Sequence, residues 1–347
     1  MLNFFLLILI YTGIYAFMSL GQNLITGYTG MLSLCAAGFF AIGSYTTAIL
    51  MTRFAWSWWA TVPVAVLLSA LLGVLIGLPT LRLKGDYLAI ATLGFAEIIR
   101  NVINNWDSLT NGPMGIQRIP MISFFGLKVS PYTKYGFLAL EAVLLFVCWF
   151  LLERLVRSRM GRALEAIRED EIAAASIGVN VTKYKVLSFA IGAGVSGIAG
   201  CLQACFVLSV SPGSYVFMVS IMVLCTVVLG GMGNFLAVVL GAFIIQFISY
   251  LPQLIGLSSV IPAQAKQIIF GLILVVMMIY RPQGILGRKR RDNSKAQVAY
   301  DHRHGVDAGR SGIGLGTCGS VDGCGDSAAE APSCADSRGG KREEGGV

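Results

Sequence analysis

The chain has 347 residues, of which 56% are hydrophobic and only 13% are charged. Its mean hydropathy of +0.74 excludes an ordinary soluble globular domain. The 26 basic and 18 acidic residues leave a net charge of +8. The basic excess lies beside long apolar runs, where anionic lipid and membrane topology account for it. The composition therefore predicts a membrane protein with membrane lipid as its surroundings, and it excludes nucleic acid as a partner.

Long apolar runs recur along the first 280 residues. Because backbone groups in lipid must be satisfied within their own segment, these runs are predicted to be helices. A helix needs roughly 20 apolar residues to cross the hydrocarbon core, so the fold class is an all-α, polytopic transmembrane bundle of about 8–10 spans. The run after Met1 lacks a basic region and a cleavage site, which favours a span over a signal peptide. The predicted spans are 2–20, 31–51, 59–79, 87–103, 135–152, 186–208, 217–233, 235–251 and 266–280.

Two glycine-rich segments connect predicted spans. GQNLITGYTG (21–30) is either a tight turn or an unwound, re-entrant piece buried in the bundle. LGGMGN (229–234) is predicted to be a tight turn between helices. A phosphate-binding P-loop needs Gly-Lys followed by Ser or Thr, whereas Arg342 follows the chain's single Gly-Lys pair at 340–341. The chain is therefore predicted to be no enzyme and to bind no cofactor of its own.

Basic residues divide the predicted loops into two sets. Lys and Arg are concentrated in the loop at 82–84, in the loop at 153–185 and from residue 281 to residue 291, and they are sparse in the intervening loops. Short loops rich in Lys and Arg stay in the cytoplasm. The loop 153–185 and the C-terminus are therefore expected in the cytoplasm, and the loop 104–134 outside.

The last 56 residues differ from the rest of the chain. Residues 292–347 are rich in Gly, Ser and Ala and poor in large apolar side chains, so a disordered tail is expected after a transmembrane domain of residues 1–291. The chain's histidines, His302 and His304, both lie in this tail. The tail contains no CxxC or HxxxH spacing, which disfavours a metal site.

Charged residues inside predicted spans are candidates for function. Glu97 and Arg100 lie three residues apart on one helix face and are able to neutralise each other. They are either a structural pair or part of a path for a zwitterionic solute. Glu141 is expected near an interface and hydrated. No unpaired carboxylate is then expected deep in a span, which speaks against an ion-driven carrier.

Small residues recur every four positions in FAIGAGVSGIAGCL (189–202). One row contains Gly192, Ser196 and Gly200, and Gly197 belongs to the neighbouring row. Such spacing lets helices approach closely in lipid. The rows serve either packing within the chain or an interface with a second permease.

One charged segment, GRALEAIREDEIAAASIGVN (161–180), interrupts this apolar chain. Its composition favours a helix. The spacing of Ile167, Ile172, Ala175 and Val179 predicts a single amphipathic helix with an apolar stripe, ended by a turn or helix stop at Gly178 and Asn180. Such a helix needs a groove in which to dock, although a solvated cytoplasmic loop is the alternative.

The charged segment and the span after it resemble the coupling loop of ABC importer permeases. The resemblance extends through GYTGMLSL (27–34), LPTLRLKGDYLAIATLGFAEIIRN (78–101), VLGGMGNFLAVVLGAF (228–243) and YRPQGILG (280–287), and covers nearly all of residues 10–288. It identifies the chain as similar to the branched-chain amino-acid permease family of LivH and LivM, closer to LivM. The resemblance assigns ATPase coupling to Arg162, Glu165, Arg168, Glu171, Ala173, Ala174 and Gly178.

The resemblance implies a bacterial inner-membrane importer with several chains. The expected partners are a second, LivH-like permease, two ATP-binding subunits of the LivG and LivF kind, an extracytoplasmic solute-binding protein and the amino-acid solute. ATP would be used by the partner subunits. Related LivM-like proteins have one more N-terminal span, so the start of the chain is expected to be either truncated or misassigned.

Departures from the family and three rival functions accompany the resemblance. The broader importer pattern has its glutamate at the position of Ile172, and Glu171 lies one residue earlier, as is similar in this subfamily. Ala36 replaces a Gln or His that relatives often carry. The tail 292–347 has no recognisable family counterpart. Spans that include Ala36, Tyr45, Glu97 and Arg100 are expected to line the solute path. The rivals are a permease for urea or short amides, an ion-driven secondary carrier, and a receptor or scaffold that does not transport.

Overall fold

A computed structural model describes residues 2–80, 83, 85–124, 127–129 and 134–254, and it is a helical bundle. The predicted span 266–280 and the tail 292–347 lie outside the described residues, as does the boundary predicted between residues 291 and 292. The long helices are α1 (Leu2–Gln22), α2 (Ala36–Arg53), α3 (Trp58–Thr80), α4 (Asp86–Asn105), α6 (Lys134–Val156), α9 (Val181–Val207), α10 (Phe217–Gly230) and α11 (Phe235–Leu254).

Each of these helices corresponds to one predicted span. By length and apolar composition, five helical stretches among the described residues are able to cross a membrane, and α11 supplies a shorter apolar stretch. α2 and α4 are long enough but more polar. Shorter helices complete the set: α5 (Asp107–Thr110), α7 (Arg159–Glu169) and α8 (Glu171–Ser176). The predicted all-α, polytopic membrane bundle is confirmed.

The glycine-rich segment after α1 is buried and is not a tight turn. The helix continues from α1 as a π-helical segment, Asn23–Tyr28, in which every residue is buried. The chain is then non-helical until α2 begins at Ala36, five residues later than the predicted start at 31. Side chains satisfy the irregular backbone: the Gln22 amide donates to the Ser33 carbonyl at 2.6 Å and the Thr92 hydroxyl accepts from the Leu34 N–H at 3.0 Å. Of the two alternatives, the buried non-α piece is the one observed.

The small-residue rows of α9 pack inside the chain. Cβ atoms built on Gly192 and Gly200 would lie 2.7 Å from the Gly21 carbonyl oxygen and 2.4 Å from the Phe40 carbonyl oxygen, respectively. A Cβ built on Gly197 would lie 2.5 Å from the hydroxyl oxygen of Ser69 in α3. α9 therefore contacts α1, α2 and α3 through its glycines, and the alternative of an interface with a second permease is wrong for these rows. Close approach of backbones is the main source of helix association in lipid.

Loop contacts group the loops into the two sets that the basic residues predict. On one side, β1 (Ile116–Gln117) pairs antiparallel with β4 (Ser209–Val210), with Ile116 opposite Val210. On that same side Arg53 donates to the Ser108 carbonyl, and β2 (Ile122–Phe124) pairs with β3 (Leu127–Val129). At the other end of the bundle, the segment 157–180 meets the π-helical segment and the turn between α10 and α11.

Glu141 is buried between α1 and α6, so the expectation that it lies hydrated near an interface is wrong. Its exposed fraction is 2%, and it lies seven residues, roughly 10 Å, inside α6. Gly13 of α1 makes room for it, because a Cβ there would be 2.4 Å from the Glu141 Oε1. Neither carboxylate oxygen has a hydrogen-bond partner within the described part of the chain. The sequence argument that no unpaired carboxylate lies deep in a span therefore fails.

Candidate functional site: the coupling segment

The segment 157–180 contains the charged residues and is named here the coupling segment after its predicted role. It starts with a capped helix. The Ser158 hydroxyl accepts a hydrogen bond from the Met160 N–H at 3.2 Å, which supplies the N-cap of α7. Position 161 requires glycine, because a Cβ there would lie 1.7 Å from the Val156 carbonyl oxygen. Leu164 and Ile167 are buried against the bundle. α7 is therefore a helix with one packed face.

The predicted single helix is wrong, because the segment breaks at Asp170. That residue is extended, with φ −154° and ψ 113°, and its carboxylate accepts from the Ile172 and Ala173 N–H groups at 2.8 and 3.1 Å. A short Asp side chain competes with helical hydrogen bonds and caps a new helix instead. The predicted apolar stripe is consequently split: Ile167 is 4% exposed, whereas Ile172 is 76% exposed.

The predicted stop at Gly178 is confirmed. Its φ of +85° lies in the left-handed region that favours glycine. A Cβ at this position would meet nothing within 4 Å, so backbone conformation rather than space selects glycine here. Asn180 is the N-cap of α9 and accepts from the Lys183 N–H at 3.1 Å. The chain therefore leaves α8 by a sharp turn and enters α9 directly.

Two polar contacts tie the coupling segment to the membrane bundle. The Lys185 ammonium of α9 lies 2.8 Å from the Glu171 carboxylate, and the Lys185 side chain is only 9% exposed. The Arg168 guanidinium of α7 donates to the carbonyl oxygen of Gly27, in the π-helical segment. α7 and α8 are therefore each attached to a different part of the bundle.

The remaining predicted coupling residues lie on two surfaces. Arg162 and Glu165 line a cavity of about 520 Å³ together with Arg157 of the turn after α6. Ala174 is buried, whereas Ala173 is exposed. Ile177, directly after α8, is 75% exposed, close to the value for Ile172. Ile172, Ala173 and Ile177 thus form an exposed apolar surface on the coupling segment.

The predicted solute-path residues do not share one environment. Ala36 and Tyr45 are 2% and 3% exposed and belong to the hydrophobic core. Glu97 and Arg100 form the expected ion pair on α4, with side chains 41% and 28% exposed. The Tyr45 hydroxyl is buried without a hydrogen-bond partner among the described residues, and its ring lies 6.0 Å from that of Tyr215.

Sequence reasoning missed several contacts around this segment. It did not find Asn23, Gly27 or Gly233, which meet beneath α7, or the Lys185 partner of Glu171. Glycines in NLITGY and LGGMGN were the available signal, since both segments were predicted to be irregular. Nothing in a single sequence places two segments 210 residues apart in contact.

Comparison with known proteins places the whole bundle in a family. The model of the family described as branched-chain amino acid transport system, permease component, matches residues 4–278. The high-affinity branched-chain amino acid transport system permease protein LivM of Salmonella typhimurium is 41% identical over 300 residues, covering 80% of this chain and 69% of that protein. LivM of Escherichia coli gives the same identity and coverage. LivH of Salmonella typhimurium is 26% identical over 295 residues, covering 79% of this chain and 91% of that protein. No solved structure matches the chain significantly.

Proposed function

Since the chain belongs to the family of branched-chain amino acid transport permeases, we propose that it is one permease subunit of a bacterial ABC importer. Its solutes are leucine, isoleucine and valine or other apolar amino acids, as the names of its relatives suggest. A LivH-like permease, two LivG- and LivF-like ATP-binding subunits and an extracytoplasmic solute-binding protein complete the importer. The partner subunits hydrolyse ATP, and this chain binds no cofactor.

The proposed location is the bacterial cytoplasmic membrane, with the coupling loop 153–185 and the C-terminus in the cytoplasm. The basic residues of the loops support this orientation. Three loop contacts support it as well, because each of them joins two loops assigned to the same side.

The exposed isoleucines of the coupling segment carry the proposal for coupling. Ile172 and Ile177 are about three-quarters exposed at the end of a polar segment, and an exposed apolar patch rimmed by polar residues is typical of a protein interaction site. Full burial of a side chain of this size contributes about 1.5–3 kcal/mol. We propose that this surface docks into a groove on an ATP-binding subunit. Exposed Ala173 allows close approach and Gly178 allows the sharp exit.

The outward face of α4 supports a second permease and a solute path. Gly94 faces open space, and the half-exposed Glu97–Arg100 pair lies three to six residues further along the same helix. A charge pair at membrane depth faces a partner or a water-filled path rather than lipid. A LivH-like subunit covering this face would bring the pair to the boundary between the two permeases, where a zwitterionic solute could match both charges.

Reconstitution tests the proposal as a whole. Purified four-subunit importer in liposomes, with solute-binding protein added outside, is expected to import radiolabelled leucine only when ATP is enclosed on the ATPase side. Excess valine should compete and excess urea should not. If urea competes and valine does not, the importer carries urea or short amides instead of branched-chain amino acids. Leucine import by this chain alone under a proton or sodium gradient would replace it with an ion-driven carrier, for which buried Glu141 would be the first candidate.

Charge placed on the exposed isoleucines tests the docking surface. Ile172→Asp is expected to lower leucine-stimulated ATP hydrolysis by at least tenfold, because it buries a carboxylate in an apolar groove. Met114→Asp is the matched control, since Met114 is 75% exposed on the opposite side of the bundle. Equal rates of ATP hydrolysis by both variants in the assembled complex would show that α8 does not contact the ATP-binding subunit.

A further inference from the structure

The end of α1 is closed by a side chain from the coupling segment. The last carbonyl groups of a helix have no partner within that helix. The carbonyl of Gly27, next to the end of the π-helical segment, accepts from the Arg168 guanidinium, 141 residues away in sequence. Gly30, with φ +72°, lies under the aliphatic part of this side chain, since a Cβ there would be 3.0 Å from the Arg168 Cγ.

The same π-helical segment holds the turn between α10 and α11. The Gly233 N–H donates to the buried Asn23 Oδ1 at 3.0 Å. A Cβ on Gly27 would lie 2.7 Å from the Gly233 nitrogen, so the absence of a side chain lets the two segments touch. The Arg168 Nη1 lies 3.5 Å from the position that a Gly233 Cβ would occupy. Asn23, Gly27, Arg168 and Gly233 therefore form one junction, named here the α1 junction.

Electrostatics favour this arrangement. A cation at a helix C-terminus interacts favourably with the helix dipole and with the unpaired carbonyls. Hydrogen bonds from a charged donor are roughly twice as strong as neutral ones. The π-helical segment and the Gly233 turn are buried, whereas α7 lies at the surface of the bundle and carries Arg168 down to them.

We propose that Arg168 is a positioning residue for coupling, which links displacement of α7 to the end of α1 and to the turn between α10 and α11. This inference rests on the proposed ABC importer function and deepens it. The Glu171–Lys185 ion pair provides a separate attachment to α9. A push on α7 and α8 thereby reaches both α9 and the α1 junction, and the route to the α1 junction passes through Arg168.

Arg168→Ala is the direct test and Arg168→Lys is its conservative partner. Arg159→Ala is the matched control, because Arg159 is an exposed arginine of the same helix. Each variant is purified with its partner subunits, and complex yield, ATP hydrolysis and leucine import are measured in liposomes. Arg168→Ala is expected to lower leucine imported per ATP hydrolysed by about tenfold, the size expected from losing one charged hydrogen bond. Arg168→Lys should recover part of that ratio, since an ammonium is able to donate to the same carbonyl.

The outcomes separate the inference from the proposed function. If the wild-type complex imports leucine and Arg168→Ala keeps the import-to-hydrolysis ratio of Arg159→Ala, the α1 junction has no part in coupling. If Arg168→Ala lowers hydrolysis and import in proportion, with less complex recovered, Arg168 is only structural and the inference is overturned. A wild-type complex without ATP-dependent import would instead overturn the proposed function. Asn23→Ala gives an independent readout: its effect on the ratio should not add to that of Arg168→Ala, because both act through one junction.

Discussion

At the residue scale, glycine positions in this bundle answer two different physical needs. Gly178 is needed for its backbone angle, since its surroundings are open, whereas Gly13 is needed for space beside Glu141. The sequence alone shows both as glycines in or beside helices. Substitutions at the two kinds of position should therefore fail in different ways.

Gly178→Val is expected to uncouple transport without preventing assembly. A β-branched residue in the left-handed region costs roughly 1–2 kcal/mol, and this strain is relieved by moving α8 away from its exit angle. Leucine import should fall severalfold at unchanged complex yield, and Gly178→Asn should be milder, because Asn tolerates that region. Import and yield are measured in the reconstituted complex.

Gly213→Val is the control for that experiment. Gly213 also faces open space but has no positive φ, and it lies on the opposite side of the bundle. Normal leucine import by Gly178→Val, matching Gly213→Val, would show that the exit angle of α8 has no importance for coupling.

At the scale of elements, caps decide where the coupling segment divides. Ser158, Asp170 and Asn180 each accept hydrogen bonds from the first turn of a following helix, so α7, α8 and α9 begin where these residues stand. An N-cap of this kind contributes about 1 kcal/mol. The residues on both sides of Asp170 have high helical propensity, but this propensity is insufficient to keep one continuous helix across Asp170.

Packing of α9 through its glycines gives a second prediction for elements. Gly200→Ala would place a Cβ 2.4 Å from the Phe40 carbonyl oxygen and 2.6 Å from the Ser44 nitrogen, which are backbone atoms of α2. Such overpacking costs about 1–3 kcal/mol. The apparent melting temperature of the purified chain in detergent is expected to fall by several degrees.

Gly194→Ala on the same helix is the matched control. Its Cβ would lie 3.3 Å from the Val66 Cγ1, which is the end of a side chain able to move, and at ordinary contact distance, 3.6 and 3.8 Å, from the Val66 carbonyl oxygen and the Ala70 Cβ. A melting temperature lowered equally by Gly194→Ala and Gly200→Ala would show that α2 and α9 are not packed closely at Gly200.

At the scale of the whole molecule, the bundle has two distinct ends. The strands β1 and β4 close one end, and the coupling segment with the α1 junction occupies the other. The coupling segment is attached to α9 and to the end of α1. A displacement of α8 therefore reaches these helices without involving the paired strands. This polarity is what an importer with ATPases on one side and a binding protein on the other requires.

Cysteine labelling tests which end faces the cytoplasm. In a variant with Cys318, Cys324 and Cys334 changed to Ser, a membrane-impermeant maleimide applied to cells with a permeabilised outer membrane should label Met114→Cys. It should not label Ser176→Cys of α8 until the inner membrane is opened. The cysteines of the described residues are buried and supply the low background. Labelling of Ser176→Cys before opening would invert the proposed orientation.

Helix existence and position were predictable because membrane spans are specified locally. An apolar run of sufficient length has to be helical in lipid, whichever neighbours it has. Each of the eight long helices of the described residues therefore overlaps one span predicted from hydropathy, with its first residue at most five positions from the predicted one. The turn at LGGMGN and the stop at Gly178 were equally local, since glycine at a positive φ suffices for each.

By itself, the sequence determined the membrane bundle and the glycine turns between its helices, because apolar length and glycine turns act within a few neighbouring residues. Only the tertiary structure decided that Asp170 divides this segment, that Glu141 is buried against Gly13, and that Arg168 reaches Gly27. Burial and hydrogen-bond partners depend on which helices meet. That choice is made by packing between residues far apart in the chain, which no local pattern records.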